Sequence, residues 1–340
     1  MKILAMETSC DDTSVAIIDD KRNVLHCEVL NQDSDHRPFG GIVPEIASRS
    51  HAENLIPLVH NTLEATGLSW DDIHGVAATH QPGLLGSLIV GVTTAKTLAI
   101  FLQKPYIGVH HIEGHIASGF LQDSSYKSPD FFNESFIGMV VSGGHTQIYR
   151  VDAMKKFTLM SQSVDDAAGE VIDKFSKTLG LGFPGGARLD KEGQSGQMDK
   201  YKFPKPKVKG RSIDMSFSGL KTAGLRVIQS IEEAELLQER PHLAASFQKT
   251  ISEILIDRLK KVIQQTGIKK IVVAGGVSAN SFLRRDLENL GSDEALQIIV
   301  PPLRYCTDNA AMIGLAGLWR LQRGEVSDLN LQVESRAQLQ

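Results

Sequence analysis

The sequence predicts an α/β protein of two domains. Short apolar runs alternate with longer helical segments along the chain, which is the pattern of sheets covered by helices. Two look-alike strand–turn–strand hairpins, one near the start and one near the middle, suggest duplication of one domain type. The chain has 340 residues, most simply two domains at roughly 100–200 residues each. A chain of that size buries roughly three quarters of its unfolded surface, so it needs no disulfide or zinc staple.

Residues 1–6 form a short apolar run that stops at the polar turn Glu7-Thr8-Ser9-Cys10-Asp11-Asp12, and residues 15–18 resume it. This is the first hairpin. Residues 45–67 have a helical look and end in glycine; 73–79 read as a strand, 86–102 as a buried helix, and 104–109 as a short strand entered through Pro105. The second hairpin follows: residues 136–141, the turn Ser142-Gly143-Gly144-His145-Thr146, and 147–151. Then come a helix at 165–179, a glycine-proline loop at 180–188, and a Lys/Pro-rich segment at 200–211. A helix at 244–266, a strand at 270–274, a Gly275-Gly276 turn, a helix from Ser281 and an apolar helix at 310–318 complete the chain.

Composition narrows the function. Apolar residues make up 41% of the chain, against wholesale disorder. The net charge of −4 excludes a histone-like coater of nucleic acid but leaves room for a local basic patch. Cys10, Cys27 and Cys306 form no CxxC, which excludes a disulfide framework and fits a reducing compartment. The first apolar run is too short for a signal peptide. The longest apolar stretch, residues 84–102, is broken by Ser87, threonines and Lys96, so no membrane span is expected, and a cytoplasmic enzyme is.

Three features carry chemistry. Glycines at the strand–helix junction 274–280, at Gly143-Gly144 and at Gly185-Gly186 let an anionic ligand approach the backbone. None is GxGxxG or a Walker A sequence. In His110-His111-Ile112-Glu113-Gly114-His115, a helix puts His111 and His115 on one face, where they share a metal. Glu113 then points elsewhere, so the HExxH arrangement of a zinc protease is absent. Asp308, before the apolar helix at 310–318, reads either as that helix's N-cap or as a third ligand. Two histidines and one carboxylate leave open metal positions for substrate.

Nine motifs then run in one order: ETSCD at 7–11, GGIVPEIASRSH at 40–51, PGLLGSLIVG at 82–91, HHIEGH at 110–115, VSGGHTQ at 141–147, DDAAGEVIDK at 165–174, MSFSGLKT at 215–222, AGGVSAN at 274–280 and CTDNAAM at 306–312. Together they resemble the TsaD family of tRNA N6-adenosine threonylcarbamoyltransferases, over essentially the whole chain to about Leu318. The resemblance implies two ribonuclease-H-like domains of the actin, sugar-kinase and heat-shock-chaperone ATPase superfamily, with a nucleotide between them. The expected limits are 1–112 with 309–330, 113–308, and a tail at 331–340.

The resemblance also implies an activity: transfer of threonylcarbamoyl from threonylcarbamoyl-AMP to the N6 amine of adenosine 37 in tRNAs reading ANN codons, releasing AMP. It assigns His111, His115 and Asp308 to one divalent metal, Fe(II) or Zn(II). Val140, Val141, Ser142, Gly143, Gly144, Asp173, Gly186, Asp190 and Asn280 match the positions that hold the adenylate donor. A paralogous TsaB-type subunit and a small TsaE-type ATPase are the implied partners. The chain departs from the family at Gln81-Pro82, where Gly-Pro is usual, and at Ala187, where proline is common. Asp11, in the first hairpin turn, is the expected acceptor of the amine proton, and the basic segment, with Lys205, Lys207 and Lys209, the expected tRNA contact. Two rivals come from other classes: a metalloprotease, and an ATP-dependent scaffold without catalysis.

Overall fold

The computed structural model describes residues 1–210 and 213–339. Arg211, part of the basic segment, lies outside the described residues. The chain divides into two compact units, Met1–Asp130 with Pro301–Leu339, and Phe131–Val300.

The first unit contains β1 (Lys2–Glu7), β2 (Asp12–Asp19), β3 (Val24–Asn31), α1 (Asp33–His36), α2 (Pro44–Thr66), β4 (Gly75–Gln81), α3 (Leu85–Leu102), β5 (Tyr106–His110) and α4 (His111–Ser118). The second contains β6 (Ser135–Val141), β7 (Thr146–Asp152), β8 (Lys156–Gln162), α5 (Ala168–Thr178), α6 (Gly186–Gly193), α7 (Ser218–Gln229), α8 (Glu233–Thr266), β9 (Lys270–Ala274), α9 (Ser281–Asp293) and β10 (Gln297–Ile299). The last helix, α10 (Ala310–Gln322), returns to the first unit.

Both sheets have the same plan. The first runs β3-β2-β1-β4-β5 and the second β8-β7-β6-β9-β10. In each, three antiparallel strands lead into two parallel neighbours. β1 is covered on both faces, which is why its residues 3–6 run apolar without a break. Leu4 and Met6 join the core that includes Leu55, Val59 and Val92. Ile3 and Ala5, one step out of phase, face α10. Gly314 and Gly317 allow that close approach: a Cβ there would lie 2.7 Å from Ile18 and 2.8 Å from Ala77.

Several expectations change. The boundary expected at 112/113 cuts α4, whose residues all belong to the first unit, and that unit begins again at Pro301 rather than 309. The expected tail is packed: Leu331 O accepts from Lys96 Nζ at 2.6 Å, and Leu339 is buried. Edge strands β3 and β8 and helices α6 and α7 join the elements read from sequence, and α8 starts before Pro241 rather than after it. Among the described residues α3 alone is long and apolar enough to cross a membrane, despite its polar interruptions. It commits Leu88, Val92, Ala95 and Ala99 to the core and exposes Leu85, Ile89, Ile100 and Phe101.

Candidate metal and nucleotide sites

The parallel strands β1, β4 and β5 end at one edge of the first sheet, the usual place for a ligand in such sheets. Glu7 ends β1, Thr79 lies near the end of β4, and His110 ends β5. His110 is the N-cap of α4: its Nδ1 accepts from Ile112 N at 3.1 Å. The helix therefore starts at His111 and carries His115 one turn on, with ring centroids 4.6 Å apart. Glu113 points away, into a bidentate pair with Arg320 at 2.7 and 3.1 Å. It has no geometry for the general base of a zinc protease.

Asp308 is not the cap of α10. Asn309 takes that role, its Oδ1 accepting from Met312 N at 3.0 Å. Asp308 faces the histidines instead: Oδ1 lies 3.2 Å from His115 Nε2 and 3.6 Å from His111 Nε2. One ligand atom from each residue falls within 4.8 Å of the others. Ligands sharing one tetrahedral ion at about 2.0–2.1 Å sit about 3.3 Å apart, so this spacing fits. Both ring nitrogens of His115 are buried, and neither makes a well-aligned hydrogen bond; a metal bond at Nε2, the nitrogen facing Asp308, would satisfy one of them.

The electrostatics point the same way. Burial opposes charging His111, but Asp308 and Glu7 outweigh it and lift its pKa to about 9. Burial alone would raise Glu7; its pairing with His111 holds it below the usual carboxylate value. Burial and then His111 push His115 down. Asp11 is pushed up by burial and by Asp308, and Asp12 by the same causes together with Asp11, to about 8. Carboxylates crowded this way repel one another, and a bound cation would offset that repulsion.

The turn carrying Asp11 is tied from two sides. His51, buried on α2, places Nε2 2.9 Å from Cys10 O and Nδ1 2.7 Å from Thr13 Oγ1. Gln32 bridges His51 to buried His36. On the other side Glu7 lies against His111, Thr79 and Ser9. These partners are far from one another in sequence, and Glu7 reads there only as the end of an apolar run.

The expected donor-binding residues all lie in the second unit. Val140 and Val141 are fully buried at the end of β6. Ser142 closes the following turn with His145. Gly143 and Gly144 are exposed, and a Cβ on either would meet nothing within 4 Å; a Cβ on half-buried Gly186 would likewise meet nothing. Gly275 differs: its φ is +92°, and a Cβ would lie 2.4 Å from Val141 O. Packing requires that glycine, where the sequence suggested ligand approach. Asp173 Oδ1 accepts from Gly185 N at 2.8 Å, next to Gly186. Asp190 Oδ1 accepts from Asn280 Nδ2 at 3.1 Å and from Ser281 N and Oγ at 3.0 and 2.7 Å. Asn280 also caps α9.

Known proteins bear on this directly. The family described as TsaD, tRNA N6-adenosine threonylcarbamoyltransferase, matches residues 23–315. A protein of that name from Bdellovibrio bacteriovorus is 45% identical over 331 residues, 97% of this chain and 96% of the relative. One from Trichlorobacter lovleyi is 43% identical, covering 97% and 94%. Among solved structures, full-length HypF in its phosphate- and nucleotide-bound form matches with a TM-score of 0.61 at 16% identity, over 96% of this chain and 56% of that one. The activator of 2-hydroxyisocaproyl-CoA dehydratase from Clostridium difficile matches with a TM-score of 0.51 at 15% identity, over 96% and 99%. The structural likenesses show the fold, and the sequence matches decide the family: this chain belongs to the tRNA N6-adenosine threonylcarbamoyltransferases.

Proposed function

We propose that this chain transfers a threonylcarbamoyl group from threonylcarbamoyl-AMP to the N6 amine of adenosine 37 in tRNA, releasing AMP. The observation that carries the reading is the convergence of His111, His115 and Asp308 at a sheet edge in a chain of this family. The adenine amine is a poor nucleophile because its lone pair is delocalised into the ring, so the donor must be an activated mixed anhydride. A divalent ion at these three residues, iron or zinc by its N,N,O donor set, supplies Lewis-acid stabilisation of developing oxyanion charge.

The chain's own groups do the rest. Asp11, whose carboxyl is raised toward neutrality by burial and Asp308, accepts the amine proton. Backbone N–H groups of Gly143, Gly144 and Gly186 receive the donor phosphate, since the space beside each is open. Val140, Val141 and Ser142 contribute main chain on the same strand and turn. Asp173, Asp190 and Asn280 hold the ribose and adenine side. The exposed apolar row on α3 supports a protein partner of the TsaB type; a TsaE-type ATPase rests on the family resemblance alone. The cytoplasm, where tRNA and free thiols occur together, is the compartment this activity calls for.

The test mixes the chain with threonylcarbamoyl-AMP, unmodified tRNA and candidate partners, with nucleoside mass spectrometry as the readout. Appearance of threonylcarbamoyladenosine supports the reading. Its absence under conditions where a 45%-identical relative makes it overturns the reading.

A further inference from the structure

We infer that Glu7 is a positioning residue that fixes which nitrogen of His111 is offered to a metal. The inference rests on the metal reading above and adds a residue to it. His111 Nδ1 lies 3.2 Å from Glu7 Oε2 and 3.1 Å from Ser9 Oγ. An ionised carboxylate only accepts, so the Nδ1 hydrogen points at Glu7, and Nε2 is the nitrogen that a metal would take in place of a proton, on Asp308's side. That side is where His115 Nε2 and Asp308 Oδ1 already converge. A ligating histidine whose second nitrogen is held by a carboxylate is both oriented and made more basic.

The carboxylate is itself held. Glu7 Oε2 accepts from Thr79 Oγ1 at 2.6 Å, and Oε1 accepts from Ser9 N at 2.5 Å. Glu7 is fully buried, so these bonds are shielded from water. Strand pairing does not need them: β1 and β4 are already joined by backbone hydrogen bonds through Met6 and Ala78. The second unit is an internal control. There the last paired residue of the hairpin, in the place of Glu7, is Val141, and β6 still pairs with β9 through Val140 and Ala274. The fold accepts an apolar residue at this position, and burying a carboxylate is costly. Its presence beside a ligand histidine is therefore assigned to the metal.

The experiment uses Co(II) as the probe on the full chain, as wild type, Glu7→Ala and Glu7→Gln. Affinity comes from competition with a chromophoric chelator, geometry from the visible ligand-field bands, and folding from circular dichroism. Glu7→Ala is expected to bind Co(II) about 10–100-fold more weakly, with altered bands and a native far-ultraviolet spectrum. Glu7→Gln, which keeps an acceptor but not the charge, is expected to fall between. Wild-type affinity and bands in a folded Glu7→Ala overturn the inference. If Glu7→Ala does not fold, unchanged affinity and bands in Glu7→Gln overturn it instead. A wild-type chain that binds no Co(II) removes the metal reading itself, a different failure.

Discussion

The two hairpin turns occupy the same place in two sheets of one plan, and they differ in what they carry. In the first unit the turn after β1 holds Ser9, Cys10, Asp11 and Asp12, beside two histidines and Asp308. In the second, the turn after β6 is Ser142-Gly143-Gly144-His145, with no carboxylate and open space over both glycines. The next strands differ in the same sense. Taking paired residues as equivalent, Thr79 after Ala78 binds Glu7, whereas Gly275 after Ala274 lies flat on Val141. One backbone scaffold thus yields a charged pocket suited to a cation and a bare main-chain cradle suited to a phosphate.

The comparison breaks first at the metal ligands. Asp308→Ala removes one of the three proposed metal ligands without touching the cap of α10, which Asn309 provides. We expect loss of transfer activity by more than about 100-fold and a native-like circular dichroism spectrum. Retained activity at saturating donor would falsify the cation role of the first unit.

The next effect is on stability in mild acid, through His80 of the first unit. By register His80 corresponds to Gly276. Burial, partly offset by Gln332 O, lowers its pKa from 6.5 to about 4. Below pH 6.5 the unfolded chain binds a proton that folded His80 refuses until about pH 4. Stability therefore falls as the pH drops through that window, by up to ~3 kcal/mol. His80→Asn should flatten the loss, seen as a smaller shift in denaturation midpoint between pH 7 and pH 5. An equal shift in the variant would assign the acid sensitivity to other groups.

Glycines sharpen the contrast within the second unit. Gly275→Ala forces a side chain onto Val141 O at a φ of +92° and should destabilise the fold by about 1–3 kcal/mol from the backbone alone. Gly144→Ala meets nothing within 4 Å. It should leave stability within about 0.5 kcal/mol but weaken a stable adenylate analogue about tenfold, because the added methyl takes space a phosphate would occupy while the amide is kept. Calorimetry and thermal melting of the two variants check this; matched behaviour would mean both glycines serve packing.

How much of this was legible follows from range. The α/β class, both hairpins and the His111–His115 pair depend on spacing within a few residues, and local periodicity carries them. Edge strands β3 (VLHCEVLN) and β8 (KFTLMSQ) escaped because their apolar residues neither alternate regularly with polar ones nor form an unbroken run, and at the sheet edges much of each stays exposed. The early start of α8 was hidden by Pro241. Asp308 read equally as a cap or a ligand, and only the bond from Met312 N to Asn309 separates the two. The roles of Glu7, Thr79 and His51 come from contacts across the sheet, which no local pattern records.

The smallest effect concerns RNA docking, and the structure redraws it. Of the segment's basic residues, Lys200 pairs with Glu239 at 2.6 Å and Lys205 with Glu253 at 2.5 Å. Among the described residues Lys202, Lys207 and Lys209 are exposed and have no ion pair. Prolines keep the segment extended, and buried Phe203 pins it edge-on to Phe175 and Phe247, with centroids 6.1 and 5.3 Å away. Of the three, Lys207 lines a groove of ≈ 480 Å³ walled by α8, whose Glu253 and Asp257 pair with Lys205, Arg258 and Lys261 and leave Lys207 as its unpaired cation among the described residues. Exposed, unpaired cations suit a phosphate backbone, giving affinity without base readout. Changing Lys202, Lys207 and Lys209 together to glutamate, rather than the set that includes the paired Lys205, should weaken tRNA binding several-fold. It should also reduce the log–log salt slope by about 0.7–0.9 for each phosphate that is no longer neutralised, and leave adenylate affinity unchanged. Filter binding between low and moderate salt measures both terms. An unaltered slope would move the RNA-docking surface off this segment, while a lowered adenylate affinity would mean that the segment supports the donor cradle instead.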